Sequence, residues 1–429
     1  MRHHQTFPFE SLSQTKASLL EWSKGFEDVV WLDSNSHQDQ YSSFEACLAV
    51  GAYFTIDALD VLHEFVGQQK DWLFGYFTYD VKNQIEDLTS GNADFLEFPE
   101  LHFFQPRKII LVKEGQLHFH YLDGYANEVV SDYKAIFNTK PIQKLALNEF
   151  GPIKIKSRLT EEDYLEKANQ FLEHIHRGDI YEANFCQEFY AEEANLDPLE
   201  KFQQLNEISE PPFATFLRMK EHYVLCASPE RYLKKAGQKV ISQPIKGTAP
   251  RGINTVEDKK ISEHLTNDPK ERSENIMITD LVRNDLSKSA LKGSVEVEEL
   301  CKPYVFKQVH QLISTVVSKV ENHKNSLELI LETFPMGSMT GAPKISAMKI
   351  IEELEETKRG MYSGAVGYFD PDGDFDFNVV IRSILYNASK KYISFSVGGA
   401  ITAKSNPEKE FQECLLKAKA MREVLEKGQ

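Results

Sequence analysis

The chain is short of cysteine, of basic charge and of long apolar runs, and each shortage removes a class of function. Its five cysteines, Cys47, Cys186, Cys226, Cys301 and Cys414, are scattered, odd in number and without CxxC spacing. Neither a disulfide framework nor a thiolate zinc site is indicated. Lysine and arginine number 49 against 65 aspartates and glutamates, for a net charge of -16, and no basic run stands out. That balance argues against a nucleic-acid partner or an anionic membrane surface, but a local Lys/Arg cluster still suits a small anion. No stretch approaches the ~18 consecutive apolar residues of a membrane span, and the opening MRHHQTFPFE has no apolar signal core. A soluble, cytoplasmic protein with no membrane partner is expected. At 429 residues the chain exceeds the size at which one core stops growing, so one large interleaved domain or two are expected.

The pattern along the chain is mixed. Asp71 to Asp80 and Leu101 to Val112 have the aromatic and β-branched composition of strands. Asn138 to Arg158 reads as a connector, broken by Pro141, Gly151 and Pro152. Thr160-Glu161-Glu162-Asp163 opens a helix that runs to Arg177 and stops at Gly178. Near the end, Ser363 to Phe369, a DPDGD turn, Phe375 to Tyr386 and Lys391 to Val397 read as consecutive strands. Asp370, Asp372, Asp374 and Asp376 imitate half of an EF-hand loop. Phe375 and Ile381 stand where its glycine and glutamate belong, so an acidic hairpin turn is expected instead.

Lys246 is the most informative residue, lying in SQPIKGTAPRG at the end of a β-like segment. Pro244 fixes its own φ, and Gly247 lets the chain turn or a ligand approach the backbone. Sixteen residues upstream, Ser228-Pro229-Glu230 offers a carboxylate as acid/base partner for that amine.

Two helices begin with paired carboxylates. Asp268 is a fitting N-cap, Pro269 suits the first turn, and Glu271 stands at capping-box distance. Glu271 and Glu274 continue a stripe with Ile278 and Leu281, which aims them inward, where a carboxylate needs a cation or a proton. Near the C-terminus Ser405-Asn406-Pro407-Glu408 is a second capping signature, leaving Glu410 and Glu413 free, with Lys417 four residues after Glu413. Two Glu-x-x-Glu pairs together supply an all-oxygen set suited to one Mg²⁺, although each alone is an ordinary solvated pair.

Glycine-rich segments add an anion-binding theme. Gly337-Ser338-Met339-Thr340-Gly341-Ala342-Pro343-Lys344 precedes a helix from about Ile345, yet misses the P-loop pattern at Ala342. Val397-Gly398-Gly399-Ala400 ends the last strand. Arg382 is expected on one strand face with Val380 and Ile384, a place that calls for an anionic partner.

Taken together these segments resemble the chorismate-utilising enzymes, on the branch of aminodeoxychorismate synthase (para-aminobenzoate synthase) component I. The resemblance covers nearly the whole chain and is carried by GDIYEANF (178 to 185), SPER (228 to 231), PIKGTAPRG (244 to 252), DPKERSENIMITDLVRNDL (268 to 286), VHQLISTV (309 to 316), FPMGSMTGAPKISAMKIIEELE (334 to 355), RGMYSGAVGY (359 to 368) and IRS (381 to 383). It implies an α+β fold of two packed antiparallel β-sheets with flanking helices, with residues 1–150 intertwined with a chorismate-binding catalytic domain at 155–425.

Carried over by position, the resemblance implies Mg²⁺ held by Glu271, Glu274, Glu410 and Glu413. Arg382, Lys417 and the amides near Gly398 and Gly399 would grip substrate carboxylates, Thr340 and Tyr362 would line the pocket, and His310 would stand near the ring. Lys246 would attack C2 of chorismate with Glu230 as general acid/base, and nearby cations would depress the amine's pKa. Anthranilate synthases, related enzymes, read PIAGT where this chain reads PIKGT. The expected product is therefore 4-amino-4-deoxychorismate, on the way to 4-aminobenzoate and folate. No cysteine lies in a G-x-C-x-G elbow, so the ammonia implies a separate glutamine amidotransferase subunit. WLDS (31 to 34) raises a tryptophan pocket at Ser34. The chain departs from the family at Ala400, usually glycine, and at Glu182, usually glutamine in amine-using relatives. The alternatives are an anthranilate synthase component I, and a non-catalytic binder of small carboxylates.

Overall fold

The computed structural model describes residues 1–68, 70–138 and 151–426. The part of the expected connector at residues 139–150 lies outside the described residues. Elsewhere local sequence rules hold closely. Thr160 and Asp163 exchange a capping box at the start of the helix Glu161–Arg177, and Gly178, with φ of +89°, ends it. In the strand Gln116–Leu122 burial alternates residue by residue, with Leu117, Phe119 and Tyr121 inward.

Among the described residues every pairing between strands is antiparallel, apart from one isolated parallel bridge of Ala93 with Thr357, and the strands form one hydrogen-bonded network that branches into two sheets at the long strand Leu101–Lys113. The second half of that strand pairs with Gln116–Leu122 and its first half with Leu73–Phe77, while Ala46–Ile56 runs along its other edge. From Ala46–Ile56 the first sheet continues through Asp28–Asp33, Phe213–Met219, His222–Ser228, Ser383–Asn387, Tyr392–Thr402 and Glu182–Ala191. From Leu73–Phe77 the second continues through Ala365–Phe369, Phe375–Val379, Arg231–Ala236 and Lys239–Gln243 to Val309–Lys319. Strands from the first third of the chain thus lie inside both sheets.

Two apolar clusters hold these layers together. One joins the first sheet to the helices Leu12–Ser23, Glu161–Arg177, Pro198–Ser209 and Pro407–Glu426, through Leu19, Phe171, Phe202 and Met421. The other gathers residues of both sheets, including Val30, Leu217, Phe103, Phe377 and Val316, with Ile278 and Val282 of the helix Pro269–Ser287. The fold is therefore α+β, two antiparallel sheets packed on one another and flanked by helices. No helix among the described residues is long and apolar enough to cross a membrane.

The acidic turn forms as expected. Asp370 accepts from the amides of Asp372 and Asp374, while Asp374 and Asp376 pair with Lys235, Arg231 and Lys234. Its carboxylates are thus used in holding the hairpin to the neighbouring strand.

Candidate active site

Lys246 sits in a bulge. Within the strand Ile245–Pro250, Ile245 pairs with Ile313 and Thr248 with Gln311, so one more residue lies on this side than on its partner. The bulge contains Lys246 and Gly247, and Gly247 takes φ of +96°, a conformation that favours glycine. A β-carbon there would lie 3.2 Å from Glu271 Oε2, so the backbone beside the lysine runs close under a carboxylate. Asn275, one turn along the same helix, is buried and donates to the carbonyls of Lys246 and Leu312, both at 3.0 Å.

Carboxylates surround the amine. Glu182 Oε1 stands 3.3 Å from Lys246 Nζ, and Glu274 and Glu413 add their charge. Burial alone would lower the lysine's pKa, but these glutamates outweigh it and hold the ammonium above its ordinary value. The side chains whose charge acts most on this amine are thus negative and work against the depression expected from Mg²⁺ and cationic neighbours.

Glu230 shows the opposite behaviour. It is 4% exposed, between His222–Ser228 and Arg231–Ala236, and its carboxyl is pushed up to about 7 by burial. A hydrogen bond from Ser338 Oγ at 2.7 Å and the charge of Lys246 act in the other direction without cancelling that cost. Near neutrality this group holds or releases a proton readily, which suits acid/base work. Ser338 belongs to the glycine-rich segment that the sequence marks for anions. Residues 333–341 are buried, and Lys344, at the start of the following helix, bonds to Asp285 and the Thr333 carbonyl. The segment therefore supports Glu230 and offers no open cradle.

The two carboxylate helices do converge. Asp268 caps the first, accepting from the amides of Lys270 and Glu271. Asn406 caps the second, accepting from Lys409. The Glu271 side chain takes no part in capping among the described residues. Burial raises the pKa of Glu271 and Glu410, and lifts Glu274 to about 7; the charge of Glu413 adds to the rise at Glu271 and Glu410, and that of Glu271 to the rise at Glu274. Glu413 is held low, chiefly by Lys417 at 2.8 Å. Among the described residues no three carboxylates, histidines or cysteines stand close enough to form a ready-made metal cage.

The remaining expected residues divide. Gly399 lies under this cluster: a β-carbon there would be 3.3 Å from Glu410 Oε2 and 3.8 Å from Lys417 Nζ. Lys417 itself donates to the Gly398 carbonyl at 2.8 Å, so its ammonium is already engaged. Beyond Ser394 the glycine-bearing strand Tyr392–Thr402 pairs only with Glu182–Ala191, leaving its other edge without a strand among the described residues. Tyr362 is buried with its hydroxyl 3.4 Å from Cys186 Sγ, and Thr340 is fully buried with its hydroxyl turned to the carbonyls of Met336 and Gly337.

Arg382 is not on a strand face. The chain leaves the sheet between Phe375–Val379 and Ser383–Asn387, and Arg382 occupies that break with φ of +53°. Its guanidinium has no hydrogen bond or ion pair with any described residue, and burial lowers its pKa. A cation in that condition is a receptor for an anion. His310 is 1% exposed, with Nε2 2.8 Å from Asp258, which also binds Arg251, and with Nδ1 buried and without a hydrogen-bond partner among the described residues.

Ser34 lines a cavity of about 170 Å³, bounded also by Asp33, Phe213, Arg231 and Tyr368. None of Glu271, Glu274, Glu410 and Glu413 lines it. Its wall includes Pro229, the neighbour of Glu230.

The model of the chorismate binding enzyme family matches residues 16–423. An anthranilate synthase component I-like protein of Synechocystis is 34% identical over 356 residues, 83% of this chain and 72% of that protein. Aminodeoxychorismate synthase component 1 of Escherichia coli is 40% identical over 272 residues, 63% of this chain and 59% of that protein. Among solved structures, anthranilate synthase component I from Streptococcus pneumoniae superposes with a TM-score of 0.78 at 24% identity, over 90% of this chain and 94% of that one.

Proposed function

The chain belongs to the chorismate-binding enzymes, and from that premise we propose that it replaces the C4 hydroxyl of chorismate with ammonia, giving 4-amino-4-deoxychorismate. The observation that carries this reading is the placement of Lys246: a largely buried amine, its side chain 14% exposed, carried on a bulge among the carboxylates and near Glu230. In this reading the amine of Lys246 bonds to C2 while the C4 hydroxyl departs as water, taking the Glu230 proton. Ammonia then bonds to C4 and expels the lysine. The enolpyruvyl group is kept.

Glu271, Glu274, Glu410 and Glu413 suit Mg²⁺, since all their donors are hard oxygens and three of them are carboxyls raised by burial that a divalent cation would settle. Bound there, Mg²⁺ would anchor a substrate carboxylate and polarise the departing hydroxyl. Arg382, whose guanidinium has no hydrogen bond or ion pair among the described residues, would take a second carboxylate. Ammonia would come from a separate glutamine amidotransferase subunit, and the cavity at Ser34 would take tryptophan.

Purified protein given chorismate, Mg²⁺ and ammonium should yield 4-amino-4-deoxychorismate by chromatography and mass. Anthranilate or pyruvate as the main product would defeat the proposal. Lys246→Ala should stop amination and keep chorismate binding, which separates an enzyme from a simple carboxylate binder.

A further inference from the structure

Glu182 is a buried carboxylate that the steps above leave unused. It is 2% exposed, its Oε1 lies 3.3 Å from Lys246 Nζ, and its Oε2 is buried without a hydrogen-bond partner among the described residues. Its backbone is fixed. Glu182 opens the strand Glu182–Ala191, pairing with Ala342 on one side and Thr402 on the other. The packing is so close that a β-carbon on Gly341 would fall 2.1 Å from the Glu182 carbonyl oxygen. A sheet, not a loop, delivers this carboxylate to the lysine.

The charged groups that act on Lys246 are Glu182 from this strand, Glu271 and Glu274 from the helix Pro269–Ser287, Glu413 from the C-terminal helix, and Glu230. Only Glu182 stands within ion-pair distance of the amine among the described residues. Glu230 is occupied by Ser338 and serves as the acid for the departing hydroxyl. An ammonium has no lone pair, so Lys246 must shed a proton before it can bond to carbon, and one group is in place to receive it.

We propose that Glu182 accepts the proton of the Lys246 ammonium as the amine adds to the ring, and returns it when the amine leaves. This rests on the amination reading above. On addition, an N–H bond of Lys246 breaks and an O–H bond forms on Glu182. The freed electron pair makes the N–C2 bond, the ring double bonds shift, and the C4–O bond breaks with the Glu230 proton leaving in water. When ammonia bonds to C4, the C2–N bond breaks and its electron pair returns to the lysine nitrogen, which retakes the proton from Glu182. Glu230 regains its proton from the new C4 ammonium. Across the cycle ammonia replaces hydroxyl as water, with no net gain or loss of protons.

Glu182→Gln keeps the shape and removes the acceptor. The expected result is a fall in kcat for amination of about a hundredfold at pH 7, narrowing as pH rises, with the Kd for chorismate unchanged. Glu182→Asp, which keeps an acceptor, should recover part of the rate. A Glu182→Gln protein that aminates as fast as wild type or faster at pH 7 overturns the inference, because a carboxylate that merely held Lys246 as an ammonium would free the amine on removal. If Glu182→Gln does not bind chorismate, Glu182→Asp decides: an aspartate variant that binds chorismate but aminates less than one hundredth as fast as wild type also overturns it. Wild-type protein that forms no 4-amino product refutes the proposed function itself, whereas a fast glutamine variant refutes only the role of Glu182.

Discussion

The side-chain amide of Asn275 and the carbonyl of Lys246 are joined by a 3.0 Å hydrogen bond, with a second to Leu312 completing a buried bridge between helix and sheet. The helix that carries Glu271 and Glu274 is thereby tied to the bulge that carries the amine. Asn275→Ala removes both donors and leaves two buried carbonyls short of a partner. We expect a loss of about 2–4 kcal/mol in urea unfolding, together with a lower kcat for amination and little change in chorismate affinity. A variant of unchanged stability would show that the bridge is not needed.

Glu230 should make stability depend on pH in a definite direction. Its carboxyl is raised from 4.5 to about 7, so between those values the folded chain holds a proton that the unfolded chain releases. The contribution is fully present below about pH 4.5 and is lost as pH rises through about 7, on the order of 3 kcal/mol. Comparing wild type with Glu230→Gln in metal-free buffer at pH 5 and pH 8, wild type should lose more stability than the variant. Equal losses would mean that Glu230 ionises as it does in water.

The sequence made much of this legible, for identifiable reasons. Caps at Thr160 and Asp268, the stop at Gly178 and the acidic turn at Asp370 rest on contacts within a few residues, and all form as expected. The convergence of Glu271 and Glu274 with Glu410 and Glu413 was readable because each pair sits one turn from a recognisable cap. The misreadings involve distant partners. Arg382 looked like a strand residue because Phe375 to Tyr386 reads as one continuous strand, and the break there depends on Ser363 and Gly364, which bond to Val380. Nothing local marks Asn275 as the brace of Lys246, or Ser338 as the partner of Glu230. Glu182 gave a trace, an acid where amine-using relatives usually have glutamine, but its partner lies 64 positions away.

The carboxylate cluster should respond to metal in two linked ways. Mg²⁺ is expected to raise Tm, since it offsets like charges among Glu271, Glu274, Glu410 and Glu413. Without metal at pH 8, Glu274→Gln should be more stable than wild type by about 1 kcal/mol, because it deletes the charge that burial disfavours most clearly, yet it should gain less from Mg²⁺. Thermal scans with and without Mg²⁺ check both. Equal Mg²⁺ gains in the two proteins would place the ion elsewhere.

The central claim is that the Lys246 amine bonds to the substrate ring. Intact-protein and peptide mass spectrometry of wild type quenched during reaction with chorismate and Mg²⁺, with ammonium withheld, tests it most directly. The expected result is an adduct of chorismate less water on the peptide that contains Lys246, absent from Lys246→Ala. Full amination activity by Lys246→Ala, with no adduct at Lys246 in wild type, would contradict it.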